Sequence, residues 1–318
     1  MSSTSKSGLK VCVVGAGQVG STFAYALMIR GLASEIVLID SNENLASGQA
    51  EDMSHGLPYV SPTKVYAGDF SDCENANIVV ITAGAAQKPG ESRLDLTRRN
   101  ADIMSEIVPA VCEYAKEAVL IIVSNPVDVL TYAAYKFSGL PQNRVLGSGT
   151  TLDSSRFRYL LSQHLGIDPR NVHAYIIGEH GDSEVPVWSL VHISGVQLDD
   201  YCQSQNIDMR FEVREYIFKE VRTAAYHLIE KKGATYHAIG LATLNIVESI
   251  TRDQNSLHSV SSYITDYYDV DNVCLSVPAK INRNGVNERV ILRLSSDERA
   301  ALKRSAEIIQ DVIQSIGL

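Results

Sequence analysis

No two cysteines in this 318-residue chain are spaced as CxxC, and the five present, Cys12, Cys73, Cys112, Cys202 and Cys274, are odd in number and scattered. That pattern argues against a disulfide framework and against thiolate metal sites, and predicts reduced thiols in a cytoplasmic protein with no metal. Positive charge is in deficit: 28 Lys and Arg stand against 37 Asp and Glu, a net charge of −9. A general attraction to nucleic acid or to an anionic membrane is excluded on that balance, so any bound anion must be held by locally placed cations. Long apolar runs are missing too. No stretch approaches the roughly 18 apolar residues of a membrane span, and the opening MSSTSKSG lacks the apolar core of a signal peptide.

What is present is ordinary globular composition, 45% hydrophobic and 20% charged, in a length that suits two domains. The apolar runs LKVCVV (Leu9 to Val14) and IVLI (Ile36 to Ile39) flank the helix-like STFAYALMIR, which reads as strand, helix, strand. Further runs at Ile78 to Ile81, Val119 to Val123 and Val145 to Leu146 are separated by helix-like segments such as Ala101 to Ala115. Short buried strands alternating with helices predict a parallel sheet covered on both faces. Later the pattern changes to long helices, Phe211 to Lys231 and Ser296 to Ile316, around strand-like pieces at Val172 to Ile177, Leu275 to Ile281 and Arg289 to Leu294. Asn-Gly within NRNGVN marks a hairpin between the last two. The expected division is residues 1–148, an α/β domain, and 149–318, a mixed α+β domain, sharing a broad interface.

Residues 15 to 20 read GAGQVG, with Gly15, Gly17 and Gly20 in the three places of the GxGxxG pattern. The first glycine permits a tight turn, the second lets backbone approach a pyrophosphate, and the third lets helix pack on strand. Phosphates then sit at a helix N-terminus, where free N–H groups favour negative charge. The hexapeptide alone is weak, but here it follows a strand, opens a helix and precedes Asp40 at the end of the next strand. Asp40 in that place accepts from ribose hydroxyls and repels a 2′-phosphate, which favours NAD over NADP.

A second dense region is IIGEHGDSEVPVW, where His180 stands between glycines just past a strand. A lone histidine is more often structural than catalytic, and its context is LDSSRFR, Leu152 to Arg158. On a helix, Asp153, Arg156 and Phe157 share a face. Asp153 with Arg156 makes either a surface ion pair or, in a cleft, an orienting carboxylate for His180 and a two-pronged donor for a substrate carboxylate. Asn125, in SNPVD, follows a strand at its C-terminal end, where it is either a ligand-binding residue or a common Asn-Pro turn starter.

GAGQVG with Asp40, the loop AAQKPGESRLDL, SNPVD, LDSSRFRYLL, IIGEHGDSEVPVWS and KGATYHAIGLA, in this order, resemble the lactate/malate dehydrogenase family over nearly the whole chain. The resemblance implies a Rossmann-type doubly wound parallel sheet plus a mixed α+β catalytic domain, NAD as cofactor, and hydride transfer between nicotinamide and a 2-oxo or 2-hydroxy acid. It implies that His180 is the general acid and base, oriented by Asp153, that Arg156 anchors the substrate carboxylate, and that Arg93 polarises the carbonyl when its loop closes as a lid. Asn125 and Thr235 would line the substrate, and Ile239 an apolar wall beside the nicotinamide. Gln18, Val19, Gly84, Ala85, Val123 and Ser148 would join Gly15, Gly17, Gly20, Asp40 and Asn125 along the cofactor.

Within the family, the residue before KPG discriminates between members, and malate dehydrogenases carry arginine there. Gln87 cannot neutralise a second carboxylate, which turns the expectation to pyruvate and L-lactate, the fermentative step that follows glycolysis. The alternatives are malate, which Gln87 disfavours, and a bulkier 2-hydroxy acid, which Ala85 and Ala86 admit by leaving the lid small. Arg158 and His173 match positions that bind fructose 1,6-bisphosphate across a symmetry axis in allosteric bacterial members. Relatives without that regulation also carry the pair, so the other readings are a site that only collects an inorganic anion and a pair with no ligand. The bacterial pattern points to a homotetramer, with a dimer as the other assembly the sequence allows.

Overall fold

A computed structural model describes residues 8–86 and 90–318. The first half lays down β1 (Lys10–Val14), α1 (Gln18–Arg30), β2 (Glu35–Ile39), α2 (Glu43–His55), β3 (Lys64–Ala67), β4 (Ile78–Ile81), α3 (Arg93–Tyr114), β5 (Val119–Ile122), α4 (Val127–Ser138) and β6 (Val145–Gly147). β1, β4, β5 and β6 are apolar and buried along almost their whole length because helices cover both faces of the sheet. One face packs α1 and α2 through Phe23, Leu27 and Met53, and the other packs α3 and α4 through Met104, Val108 and Leu130.

The second half continues with α5 (Thr151–Leu165), β7 (Val172–His173), β8 (Ile176–Ile177), β9 (Val185–Pro186), β10 (His192–Ile193), β11 (Val196–Gln197), α6 (Leu198–Gln205), α7 (Phe211–Lys232), α8 (His237–Thr251), β12 (Ser256–Ile264), β13 (Val273–Asn282), β14 (Gly285–Arg289) and α9 (Ser296–Ile316). The large sheet runs β14-β13-β12-β6-β5-β4-β1-β2-β3. From β6 to β3 all neighbours are parallel, whereas β12 joins β6 antiparallel and carries the sheet into the second half. Chain order reverses direction between β1 and β4, and the crevice beyond their C-terminal ends is where ligands of such sheets bind.

Two expectations need correction. Val172 to Ile177 is not one strand: β7 pairs with β10 and β8 with β9, in separate small sheets. Arg289 to Leu294 is not a strand either. The partner of β13 is Gly285–Arg289, and the run after it leaves the ladder. The tight turn at Arg283 and Asn284 depends on Gly285, whose φ of 89° and close approach to the Asn143 carbonyl leave no room for a Cβ.

Candidate active site

The glycine loop has the shape its sequence requires. Gly15 has φ 105°, and a Cβ there would meet Ala83 N at 2.6 Å, while one on Gly20 would meet the Gly15 carbonyl at 1.8 Å. At Gly17 nothing lies within 4 Å, which leaves open space in front of the N-terminus of α1, where Gln18 and Val19 begin the helix. That cradle fits a pyrophosphate, with the dipole and free N–H groups of α1 supplying the attraction. Asp40, at the end of β2, accepts from Ala16 N at 2.7 Å and from Asn42 N at 2.9 Å, so it also braces the loop.

Opposite this loop, after β4, Ala85 N donates to Asn100 Oδ1 and the Asn100 amide donates to the Asn125 carbonyl at 2.8 Å. Gly84 and Asn125 are exposed, Ala85 is half-buried, and Val123 and Ser148 lie buried just past β5 and β6. Ile239, in the first turn of α8, is half-buried against the core that contains Phe23. The residues of this crevice suit a dinucleotide.

His180 follows β8 and presents its Nδ1 to Asp153 Oδ2 at 2.5 Å. Asp153, buried in the first turn of α5, accepts on its other oxygen from Arg156 Nη1 at 2.8 Å. One carboxylate therefore joins imidazole and guanidinium. Burial opposes the charged ring, but the Asp153 carboxylate, then Asp128, outweigh it and push His180 up to about 9. Burial also opposes ionised Asp153, yet the facing His180 and Arg156 hold its carboxyl below the ordinary value. Phe157, on the same helix, packs edge-on to Trp188 and anchors that face in the core.

Arg93, at the start of α3, bonds Asp182 at 2.7 Å and the Tyr226 hydroxyl at 2.8 Å, and its side chain is largely exposed. Asp182 lies two residues past His180 and Tyr226 on α7, so Arg93 already touches the loop that carries His180. Gln87 lies outside the described residues. Thr235 is half-buried between α7 and α8. Arg158 donates its Nε to the carbonyl of Ala174, the residue after His173, and stacks on Tyr175. His173 is exposed on β7.

Two residues here escape sequence reasoning. Asp128, buried in the first turn of α4, accepts the His180 backbone N–H at 2.7 Å. Glu184 is buried with Oε1 unpartnered, and burial followed by the Asp153 charge pushes it up to about 9. An acidic residue in the otherwise apolar EVPVW was the available signal for Glu184. For Asp128 it was the last residue of SNPVD.

Among the described residues no group of three or more His, Cys, Asp or Glu side chains is arranged to hold a metal, and no helix is long and apolar enough to cross a membrane. Residues 9–147 match the model of the lactate/malate dehydrogenase NAD binding domain, and residues 150–317 that of the lactate/malate dehydrogenase alpha/beta C-terminal domain. The chain is similar to the L-lactate dehydrogenase of Thermoanaerobacter pseudethanolicus, 54% identical over 97% of this chain and 99% of that one. The L-lactate dehydrogenase of Acetivibrio thermocellus is 48% identical over 97% and 98%. Among solved structures, a lactate dehydrogenase from a Medee basin deep-sea metagenome library superposes with a TM-score of 0.95 at 42% identity, covering 98% of this chain and 99% of that one. The minor L-lactate dehydrogenase of Enterococcus mundtii gives 0.94 at 38% identity over 98% and 99%.

Proposed function

Because the chain belongs to the lactate/malate dehydrogenase family, we propose that it is an L-lactate dehydrogenase using NAD(H) to interconvert pyruvate and L-lactate. The observation that carries this reading is the single carboxylate of Asp153 bonded to both His180 and Arg156. A dinucleotide held by the glycine loop, the N-terminus of α1 and Asp40 would supply the hydride that the C2 carbon of the oxo acid receives. Protonated His180, its Nδ1 fixed by Asp153, donates from Nε2 to the carbonyl oxygen, and in the reverse direction takes that proton back. Arg156 keeps N–H groups beyond its bond to Asp153, and these grip the substrate carboxylate. Arg93 leaves Asp182 as the lid closes and turns to the developing oxyanion, where water exclusion strengthens its pull.

Asp40 selects NAD by receiving the ribose hydroxyls, Asn125 and Thr235 border the substrate, and Gln87 leaves a second carboxylate without a partner. The same reading extends to assembly: a cytoplasmic homotetramer, with Arg158 and His173 binding fructose 1,6-bisphosphate between subunits. Supporting it are free thiols, exposed apolar side chains on α1 and α8, and the reach of Arg158 to the residue beside His173. Steady-state assays with NADH and pyruvate, oxaloacetate or 2-oxoisocaproate, each with and without fructose 1,6-bisphosphate, test the whole reading. Pyruvate is expected to give the highest kcat/KM; preference for oxaloacetate overturns the role given to Gln87.

A further inference from the structure

His180 is held at two points by carboxylates from different helices. Asp153 of α5 takes the ring, and Asp128 of α4 takes the backbone N–H at 2.7 Å. Asp128 is 3% exposed, and its Oδ1 is buried without a hydrogen-bond partner. Its helix follows β5 in the first half of the chain, whereas His180 follows β8 in the second. A buried carboxylate is an expensive way to accept one backbone N–H, because an asparagine makes the same bond without desolvating a charge. The charge therefore has a use.

We propose that Asp128 is a positioning residue for proton transfer: it fixes the His180 backbone across the two halves and, as a second buried anion behind the ring, supports the imidazolium. This rests on the reading of His180 as the proton donor. Around Asp128 stand Glu179 beside His180, the Ser261 hydroxyl on β12 and Cys274 on β13; around His180 stand Asp153 on α5, with Arg156 behind it, and Glu184 ahead of β9. Burial pushes Asp128 up to about 6, against the pull of Ser261 and the His180 N–H. Above that pH it is an anion that accepts fully. Below it the carboxyl is neutral, the grip on the N–H weakens, and the ring loses one of its two supporting charges.

The test measures pH profiles of kcat and KM for pyruvate reduction, with NADH affinity by fluorescence, for wild type, Asp128→Asn, Asp128→Ala and His180→Ala. Asparagine keeps the acceptor, so kcat falls about threefold at pH 7, the acid limb near 6 disappears and the alkaline limb moves to lower pH. Alanine strands a buried N–H and lowers kcat about tenfold or more, with NADH affinity unchanged. If both limbs of Asp128→Asn coincide with wild type, Asp128 is a structural residue only. Loss of turnover in His180→Ala alongside such a result sinks this proposal alone, whereas retained turnover in His180→Ala sinks the proton-donor reading and this proposal with it.

Discussion

At His180 burial and charge pull in opposite directions, and the size of the second decides the chemistry. With Asp153 ionised the ring rises to about 9, so at neutral pH it carries a proton, the one that pyruvate reduction consumes under the proposed function. A raised histidine is protonated below its pKa, so pyruvate reduction should hold steady through neutrality and fall as pH passes about 9. Lactate oxidation, which needs the neutral ring, should rise through the same range. Replacing Asp153 with Asn removes the compensating anion and leaves the burial, so the ring falls below its ordinary value. Pyruvate turnover at pH 7 then drops by roughly two to four orders of magnitude with its optimum moved to acid. Pre-steady-state NADH oxidation across pH measures both, and an unmoved optimum contradicts the coupling. Glu184→Gln behaves differently. Glu184 is already neutral at pH 7, being pushed up to about 9, so that variant departs from wild type chiefly in alkali.

α9 shows how an element remote from the chemistry supports it. Its buried stripe, Leu302, Ser305, Ala306, Ile309 and Ile313, follows helical spacing and packs on β13. Ser295 caps its start in a reciprocal box with Glu298, and Ser305 Oγ accepts from Glu179 N, the residue before His180. Removing the cap by Ser295→Ala should cost about 1 kcal/mol of stability. Thermal unfolding is then expected a few degrees lower with kcat unchanged; a parallel loss of kcat means that the start of α9 positions the loop as well as bracing it. This helix was legible from sequence as one long helical stretch from Ser296 to Ile316, because its apolar residues keep the helical period. The run at Val290 to Leu294 was misread for a physical reason: its buried Leu292 and Leu294 alternate with exposed Ile291, which is the signature of half-burial, and half-burial does not require a partner strand.

Across the whole molecule, the sequence made the glycine loop, its acidic partner and the His180, Asp153 and Arg156 set readable because each sits in a local pattern. Asp128 was hidden because its partner is a backbone N–H from 52 residues away, and no side-chain spacing encodes that. Assembly is hidden for a similar cause, since it depends on which faces stay uncovered. Here α1 exposes Tyr25 and Ile29, α8 exposes Leu241, and β12 exposes Leu257. Beside them a cavity of about 370 Å³ is lined by Arg158, Tyr175, Asn245, His258, Leu241 and Leu257. Burial, then the nearby Arg158, pushes His258 down to about 4, so Arg158 is the charge this cavity offers at neutral pH. Exposed apolar side chains with a recessed cation among them suit burial against a second copy. Leu241 is 61% exposed in the single chain, so Leu241→Glu should leave each chain folded while placing a charge in that contact. Sedimentation velocity is expected to show the wild type as a tetramer and the variant at a smaller size, with any response to fructose 1,6-bisphosphate lost if the proposed site at Arg158 and His173 lies between subunits. An unchanged sedimentation coefficient removes this face from the interface and leaves the apolar side chains of α1 and α8 without an explanation.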